Sequence, residues 1–252
     1  MTPPHPPRAP AGGTAVRHSH SSVLDSLGRR IAGGELAPGT VLTLAGLEAE
    51  YAVSRTVMRE AIRVLESHGL VVSRRRVGLT VQPIAHWNVL DASVIDWRWD
   101  GPQADAQLVE FIELRAAIEP LAARLAAVRA SAEQRAELVG LAEALVRLGR
   151  SGQGDSAEFL QVDIAFHTVL LQASGNPLLA RMSSAIASIL AGRQARDLLG
   201  GVPEPGTLEA HAACAAGVDQ ADGAEAARAI LHLVDLVSTE IVRPPVPAPP
   251  SR

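Results

Sequence analysis

The sequence predicts a mostly α protein in two parts: three N-terminal helices with a small β-hairpin, then a C-terminal all-α helical bundle. Three observations carry that expectation. Aromatic residues are only 3% of the 252 residues and hydrophobic residues 47%; with Ala and Leu recurring throughout, the core is helical rather than a β-sandwich. Residues 21–82 hold three short helical patterns and then two short strand patterns. From residue 106 onward helical periodicity dominates.

Residues 1–20 contain five Pro and no periodic apolar pattern, so they read as a disordered arm. His5, His18 and His20 have nothing to order them as metal ligands. In 21–33, Val23, Leu24, Leu27 and Ile31 recur at helical spacing after a Ser cap, and Gly33-Gly34 stops the helix. Pro38-Gly39 makes a turn. Residues 43–51 give a second helix capped by Thr43. A third runs from Ser54 to His68 and ends at Gly69. VVSRRRVGLTV (71–81) then reads as two strands around an Arg-rich turn. This order is a winged helix-turn-helix pattern.

Residues 83–105 form a linker, WNVLDASVIDWRWDG included, with room for a short helix. The candidate helices of the second domain (106–243) are 106–129, 131–149, 155–174, 176–199, 206–219 and 222–241, separated at Ser131, Ser151-Gly152, Gly175-Asn176-Pro177 and Gly200 to Gly206. The Pro-rich stretch 244–252 is expected to be a flexible tail.

Charge is divided along the chain. The net charge is −4, and all 23 basic residues are Arg. Residues 1–82 carry ten Arg against six acids; residues 83–252 carry thirteen Arg against twenty-one acids. A basic first third and an acidic remainder imply two parts with different partners. The single cysteine, Cys214, excludes an internal disulfide framework and suits a reducing cytoplasm. Cys214 follows His211 on one helix and reads as a small buried residue. No apolar run approaches the ~18–20 residues that span a bilayer, so no membrane partner is expected. The N-terminus lacks the apolar segment of a secretory signal.

On a wheel of 54–68, Arg55, Thr56, Arg59 and Arg63 share one side, and Val57, Met58, Ala61, Ile62, Val64 and Leu65 fill the other. That geometry suits a helix in a major groove of double-stranded DNA, with Arg forking onto guanine edges or phosphates. Ser54 and Thr56 at the helix start can hold a phosphate. Arg74, Arg75 and Arg76 sit at the wing, and Gly78 allows its tight turn. The competing reading is a solvated Arg/Glu face, since Glu60 and Glu66 lie on the same helix. The downstream Arg triplet and the two preceding helices favour DNA.

In the second domain, Asp163 and His167 are four apart and point from one helix face. His211 and His232 lie among apolar residues of later helices and are expected to face inward. One carboxylate and three imidazoles suit a divalent transition metal. Spacing alone favours ordinary core or rim histidines, since no HExxH or CxxC is present.

The stretch IAGGELAPGT, VSRTVMREAIRVLESHGLV and RRRVGLTV resembles the winged-helix domain of GntR-family transcription regulators. Leu44-Ala45-Gly46-Leu47 stands where that family usually carries a Ser-Glu-Arg-type stretch, which implies a lost DNA contact. Residues 110–242 resemble the FCD ligand-binding domain of the FadR subfamily. The segments that carry the likeness are ELRAAIEPLAARLAA, DIAFHTVLLQASGNPLL, a His-bearing helix and GAEAARAILHLVDL. The resemblance implies a metal, zinc first with nickel or manganese as alternatives, held by Asp163, His167, His211 and His232. Ala210-His211-Ala212 departs from the usual Glu-His-Arg pattern. It also implies effector binding by Arg115, whose competing reading is an intrahelical ion pair with Glu119 or Glu113. WNVLDASVIDWRW resembles the linker of the sugar-acid, galactonate-repressor-like branch.

The expectation is therefore a cytoplasmic homodimer that binds a near-palindromic operator and represses sugar-acid (aldonate or hexonate) genes in response to a small carboxylate. The alternatives are a response to another organic acid with a purely structural metal, or a metalloenzyme with an accessory DNA-binding domain.

Overall fold

The computed structural model describes residues 20–195, 203 and 206–242. Nearly all of the expected arm and tail, the end of the expected helix 176–199 and most of the Gly200 to Gly206 break lie outside the described residues.

The N-terminal unit contains α1 (His20–Ala32), β1 (Val41–Leu42), α2 (Leu44–Tyr51), α3 (Arg55–Ser67), β2 (Val71–Arg74) and β3 (Gly78–Val81). Its helices begin where side chains can cap them. Thr43 Oγ1 accepts from Gly46 N–H at 3.1 Å, and Ser54 Oγ from Val57 N–H at 3.4 Å. α3 buries Met58, Ala61, Ile62 and Leu65, an i, i+3, i+4, i+7 stripe. They pack with Val23, Leu27 and Ile31 of α1, Leu47 of α2, and Leu70, Val71, Leu79 and Val81 of the wing.

The hairpin gains a third strand absent from the sequence reading. β1 pairs antiparallel with β3, Val41 opposite Thr80, and the sheet order is β1-β3-β2. Two residues are too few to show a strand period, so only the pairing partner defines β1. Gly78, at φ +115, lies against the Leu42 carbonyl, and a Cβ there would come within 2.7 Å of that oxygen.

The linker contains a 3₁₀ turn at Ile84–His86 and α4 (Ala92–Trp99), capped by Asp91 Oδ1 on Ser93 N–H. α4 is shared between two cores. Val94 and Trp97 join the N-terminal core, while Ile95 and Trp99 join the second. Each pair is three or four residues apart, so the two sets lie on different sides of one short helix.

The second unit comprises α5 (Ala104–Arg129), α6 (Ala132–Arg150), α7 (Ala157–Ala173), α8 (Pro177–Arg181), α9 (Ser183–Ala195), α10 (Thr207–Asp219) and α11 (Gly223–Val242). The expected helix over 176–199 is divided at Met182. Asn176 caps α8 through Leu178 N–H, and Pro177 occupies the first turn, where its missing N–H costs nothing. α5 is central to the bundle and packs on α7, α9, α10 and α11. Among the described residues, no helix is long and apolar enough to cross a membrane.

Candidate functional site

Two sites stand out, one on each unit. On the N-terminal unit, Arg55, Thr56, Arg59 and Arg63 are all exposed on the face of α3 opposite the core, and Arg74, Arg75 and Arg76 are exposed at the wing. Ser54 serves as the N-cap of α3, so its hydroxyl is engaged with Val57 N–H. Arg63 pairs with Glu60 at 2.6 Å, and Arg55 reaches Glu48 at 4.0 Å. Arg59 makes no ion pair among the described residues. Arg76 adopts a left-handed conformation at φ 64, which turns the chain between β2 and β3. Glu66 Oε1 accepts from Ser73 N–H at 2.8 Å and so ties the wing to α3. Between them lies a groove of about 300 Å³ bordered by Arg59, Arg63 and Arg74.

The second site is buried. Asp163 and His167 project from α7 and meet His211 from α10. Their ligating atoms all lie within 4.8 Å of one another. His211 Nε2 is 3.1 Å from Asp163 Oδ1, and His167 Nε2 is 3.5 Å from the same oxygen. Phe166 stands edge-on to both imidazoles, with ring centroids 5.5 and 4.9 Å away, and fixes their tilt.

Arg115 and Glu119, from α5, complete the cluster. The guanidinium forks onto the carboxylate, Nε to Oε1 at 2.7 Å and Nη2 to Oε2 at 3.3 Å. The intrahelical pairing with Glu119 weighed for Arg115 is therefore present, and it sits inside the cluster. Glu119 is fully buried and also lies 3.2 Å from His167 Nδ1. Arg115 Nη2 is 3.0 Å from His167 Nε2. Burial pushes the Glu119 carboxyl up, but the Arg115 charge and then His167 outweigh it and hold it at about 2. Burial likewise opposes ionisation of Asp163, yet hydrogen bonds from His167 and His211 keep it well below the usual carboxylate range. Burial lowers the His211 pKa.

These contacts orient the imidazoles. His211 Nδ1 faces the Thr207 carbonyl at 2.8 Å and donates to it, while Nε2 faces the Asp163 carboxylate at 3.1 Å and is open to a metal once it gives up its proton. Arg115 can only donate, so at this contact His167 Nε2 is the acceptor, with Nδ1 turned toward Glu119 at 3.2 Å. Two imidazole nitrogens and a carboxylate oxygen thus converge. Arg115 offsets one of the two buried carboxylates, and against the effect of burial the Glu119 charge raises the His167 pKa. Such a group needs a proton or a cation at its centre. The residues fit a metal ion: the donors are mixed N and O, and the outer nitrogen of His211 is held by the Thr207 carbonyl.

His232 does not join them. The sequence reading turns it inward; the structure places it exposed on α11, lining a surface groove with Gly206, Glu209 and Arg228. The buried face of α11 is formed by Ile230, Leu233, Val234 and Val237, and His232 falls outside that phase. Glu119 is the reverse case, a site residue that sequence reading did not place there. Its signal was an acid four residues after Arg115 in an otherwise apolar stretch.

A winged helix bearing an open Arg face, joined to a helical bundle with a buried polar centre, fits a DNA-binding regulator with a second, helical domain. Comparison with known proteins makes the assignment specific. Residues 20–81 match the gntR family of bacterial regulatory proteins, and residues 110–236 match the FCD domain. The chain belongs to the GntR family, in its FCD-bearing FadR subfamily, and is a DNA-binding transcription regulator, not an enzyme. It is similar to the galactonate operon transcriptional repressor of Escherichia coli, at 30% identity over 84% of this chain and 92% of that one. The uncharacterised regulator YieP of E. coli is 34% identical over 69% of this chain and 76% of its own. Among solved structures, the Listeria monocytogenes protein Lar, described as controlling expression of the agr system, matches 90% of this chain and 98% of its own. Its TM-score is 0.56 at 18% identity, a likeness of fold.

Proposed function

We propose that this protein represses sugar-acid catabolism genes and is released from, or fastened to, its operator by a small carboxylate bound at a metal in the buried site. The observation that carries this reading is the convergence of Asp163 Oδ1, His167 Nε2 and His211 Nε2 beside the Arg115 guanidinium. Three protein ligands leave coordination positions open, and zinc, nickel or manganese there would supply a Lewis-acidic centre for an anion. Arg115 contributes the charge-assisted hydrogen bonding that a carboxylate needs. The likeness to the galactonate operon repressor, over most of both chains, supports an aldonate or related hexonate as effector.

At the other end, Arg59 with Arg55 and Thr56 would read base edges from α3. Arg63, Arg74, Arg75 and Arg76 would hold phosphates, with Ser54 shaping the helix start and Gly78 the wing. A homodimer in the cytoplasm would place two such helices on a near-palindromic operator, one per half-site. Residues 21–82 would form the DNA-binding domain, 83–105 the linker and 106–243 the sensor and dimerisation domain.

The test is binding to DNA from upstream of the protein's own gene, titrated with a panel of sugar acids with and without chelator. A change in affinity with one hexonate, lost on chelation, is expected. Tight binding indifferent to every acid and to chelator would leave the regulator and discard the effector class. If chelation unfolds the second unit and no acid alters its stability, the metal is structural only.

A further inference from the structure

The Arg115 guanidinium already occupies part of the position where a metal ion would act. Arg115 Nη2 sits 3.0 Å from His167 Nε2, and because a guanidinium only donates, that nitrogen is the acceptor. A nitrogen lone pair cannot at once accept a hydrogen bond and coordinate a cation. Arg115 also carries the charge that partly balances the buried carboxylates in the absence of an ion.

We propose that Arg115 is a resident cation that competes with the metal for His167 and is freed by it for anion binding. This rests on the metal reading above and adds an order of events. When metal takes His167 Nε2, the Nη2 group must leave that atom. It need not leave Glu119, because the shorter arm of the fork, Nε to Oε1 at 2.7 Å, does not involve His167. Glu119 thus anchors the guanidinium at one edge while the other edge is released. Glu119 also lies 3.2 Å from His167 Nδ1, so its carboxylate stands beside the nitrogen turned away from the metal position. The released N–H groups are then charged donors next to the metal's open positions, where an incoming carboxylate can use them. In the metal-free protein the same donors are spent on His167. The metal therefore precedes the acid, and the two bind cooperatively without any larger movement of the bundle.

The pairing makes a prediction opposite to that for a ligand-supporting residue. Removing Arg115 should tighten metal binding, because a competitor and a like charge are both removed. The experiment titrates the metal-free full-length protein with Co²⁺, read by its ligand-field absorption, and then displaces it with Zn²⁺. Wild type, Arg115→Gln and the double variant Arg115→Gln/Glu119→Gln are compared. The double variant removes both members of the buried pair, so it guards against a fold damaged by a carboxylate left without its partner. The amide oxygen it introduces at position 119 can still accept from His167 Nδ1–H. Both variants are expected to bind Co²⁺ about tenfold more tightly or better, the scale of one hydrogen bond to a charged group. Equal or weaker binding in the folded variants overturns the competition and leaves the metal site standing. If none of the three proteins binds Co²⁺, the metal reading falls and the competition with it.

Discussion

Trp97 of α4 seats directly against Gly28 of α1, so closely that a single methyl group at Gly28 would overlap the indole ring. The indole is fully buried, donates from Nε1 to Asp25 Oδ1 at 3.2 Å, and meets His68 edge-on at 5.9 Å. Replacing Gly28 by Ala should therefore destabilise the protein by about 1–3 kcal/mol through overpacking, although Ala is the better helix former by ~1 kcal/mol. Urea unfolding measures it. A gain in stability would mean that Trp97 does not fill this position.

Two residues further along α4, Trp99 makes the corresponding contact with Gly192 of α9. The helix is thus pinned into the N-terminal unit by one indole and into the helical bundle by the other. Arg29 adds ion pairs to Asp96 and Asp100 at the first of these contacts. Removing each ring in turn should cost about 3–5 kcal/mol and loosen different halves. Trp97→Ala should speed amide exchange most in α1 and α3, and Trp99→Ala most in α9. Identical exchange maps would show that α4 does not divide its contacts in this way.

On the face of α3 proposed to meet DNA, the three arginines should not be equal. Arg63 is held by Glu60 and Arg55 faces Glu48, whereas Arg59 has no such partner among the described residues. Arg59→Ala should weaken operator binding by about 1–3 kcal/mol and relax sequence preference, if it reads a base. Arg74→Ala should weaken all sequences alike and reduce the salt dependence. Fluorescence anisotropy with operator and scrambled duplexes separates the two. An Arg59→Ala protein with unchanged operator affinity would refute the assignment of this face.

Excess Zn²⁺ should raise the melting temperature of the metal-free protein, by roughly 2.7 kcal/mol of stabilisation at a hundredfold excess over the dissociation constant. His167→Ala and Asp163→Asn should abolish that gain. His232→Ala should leave it intact, because His232 is exposed and outside the buried group. Loss of the gain in His232→Ala would restore the four-ligand set that the resemblance implies.

Cys214 lies on α10 one turn beyond His211 and is fully buried. Burial, followed by the nearby Glu119 charge, pushes its thiol far above the ordinary range. Thiol reagents at pH 8 should react with the native protein only as fast as it opens, and immediately in denaturant. Rapid modification of the native protein would contradict this packing.

The periodic parts of this fold were legible in the chain itself. α3 was readable as a helix with one aliphatic and one Arg-bearing face, because both properties are local and repeat every 3.6 residues. Asp163 and His167 were readable as neighbours for the same reason. Thr43, Ser54 and Ser131 marked helix starts through caps that act within three residues. β1 was not legible, since two residues become a strand only when β3 lies beside them.

The buried centre needed the tertiary structure. His211 and His232 both sit among apolar neighbours, and composition treats them alike; the packing of α10 and α11 turns one inward and the other out. Glu119 and Arg115 read as an ordinary i, i+4 ion pair until the approach of α7 set His167 between them. Sequence spacing determined which groups share a helix face. Which faces meet is decided by packing between segments far apart in the chain, and that alone brings two carboxylates, two imidazoles and a guanidinium together in a site sealed from water.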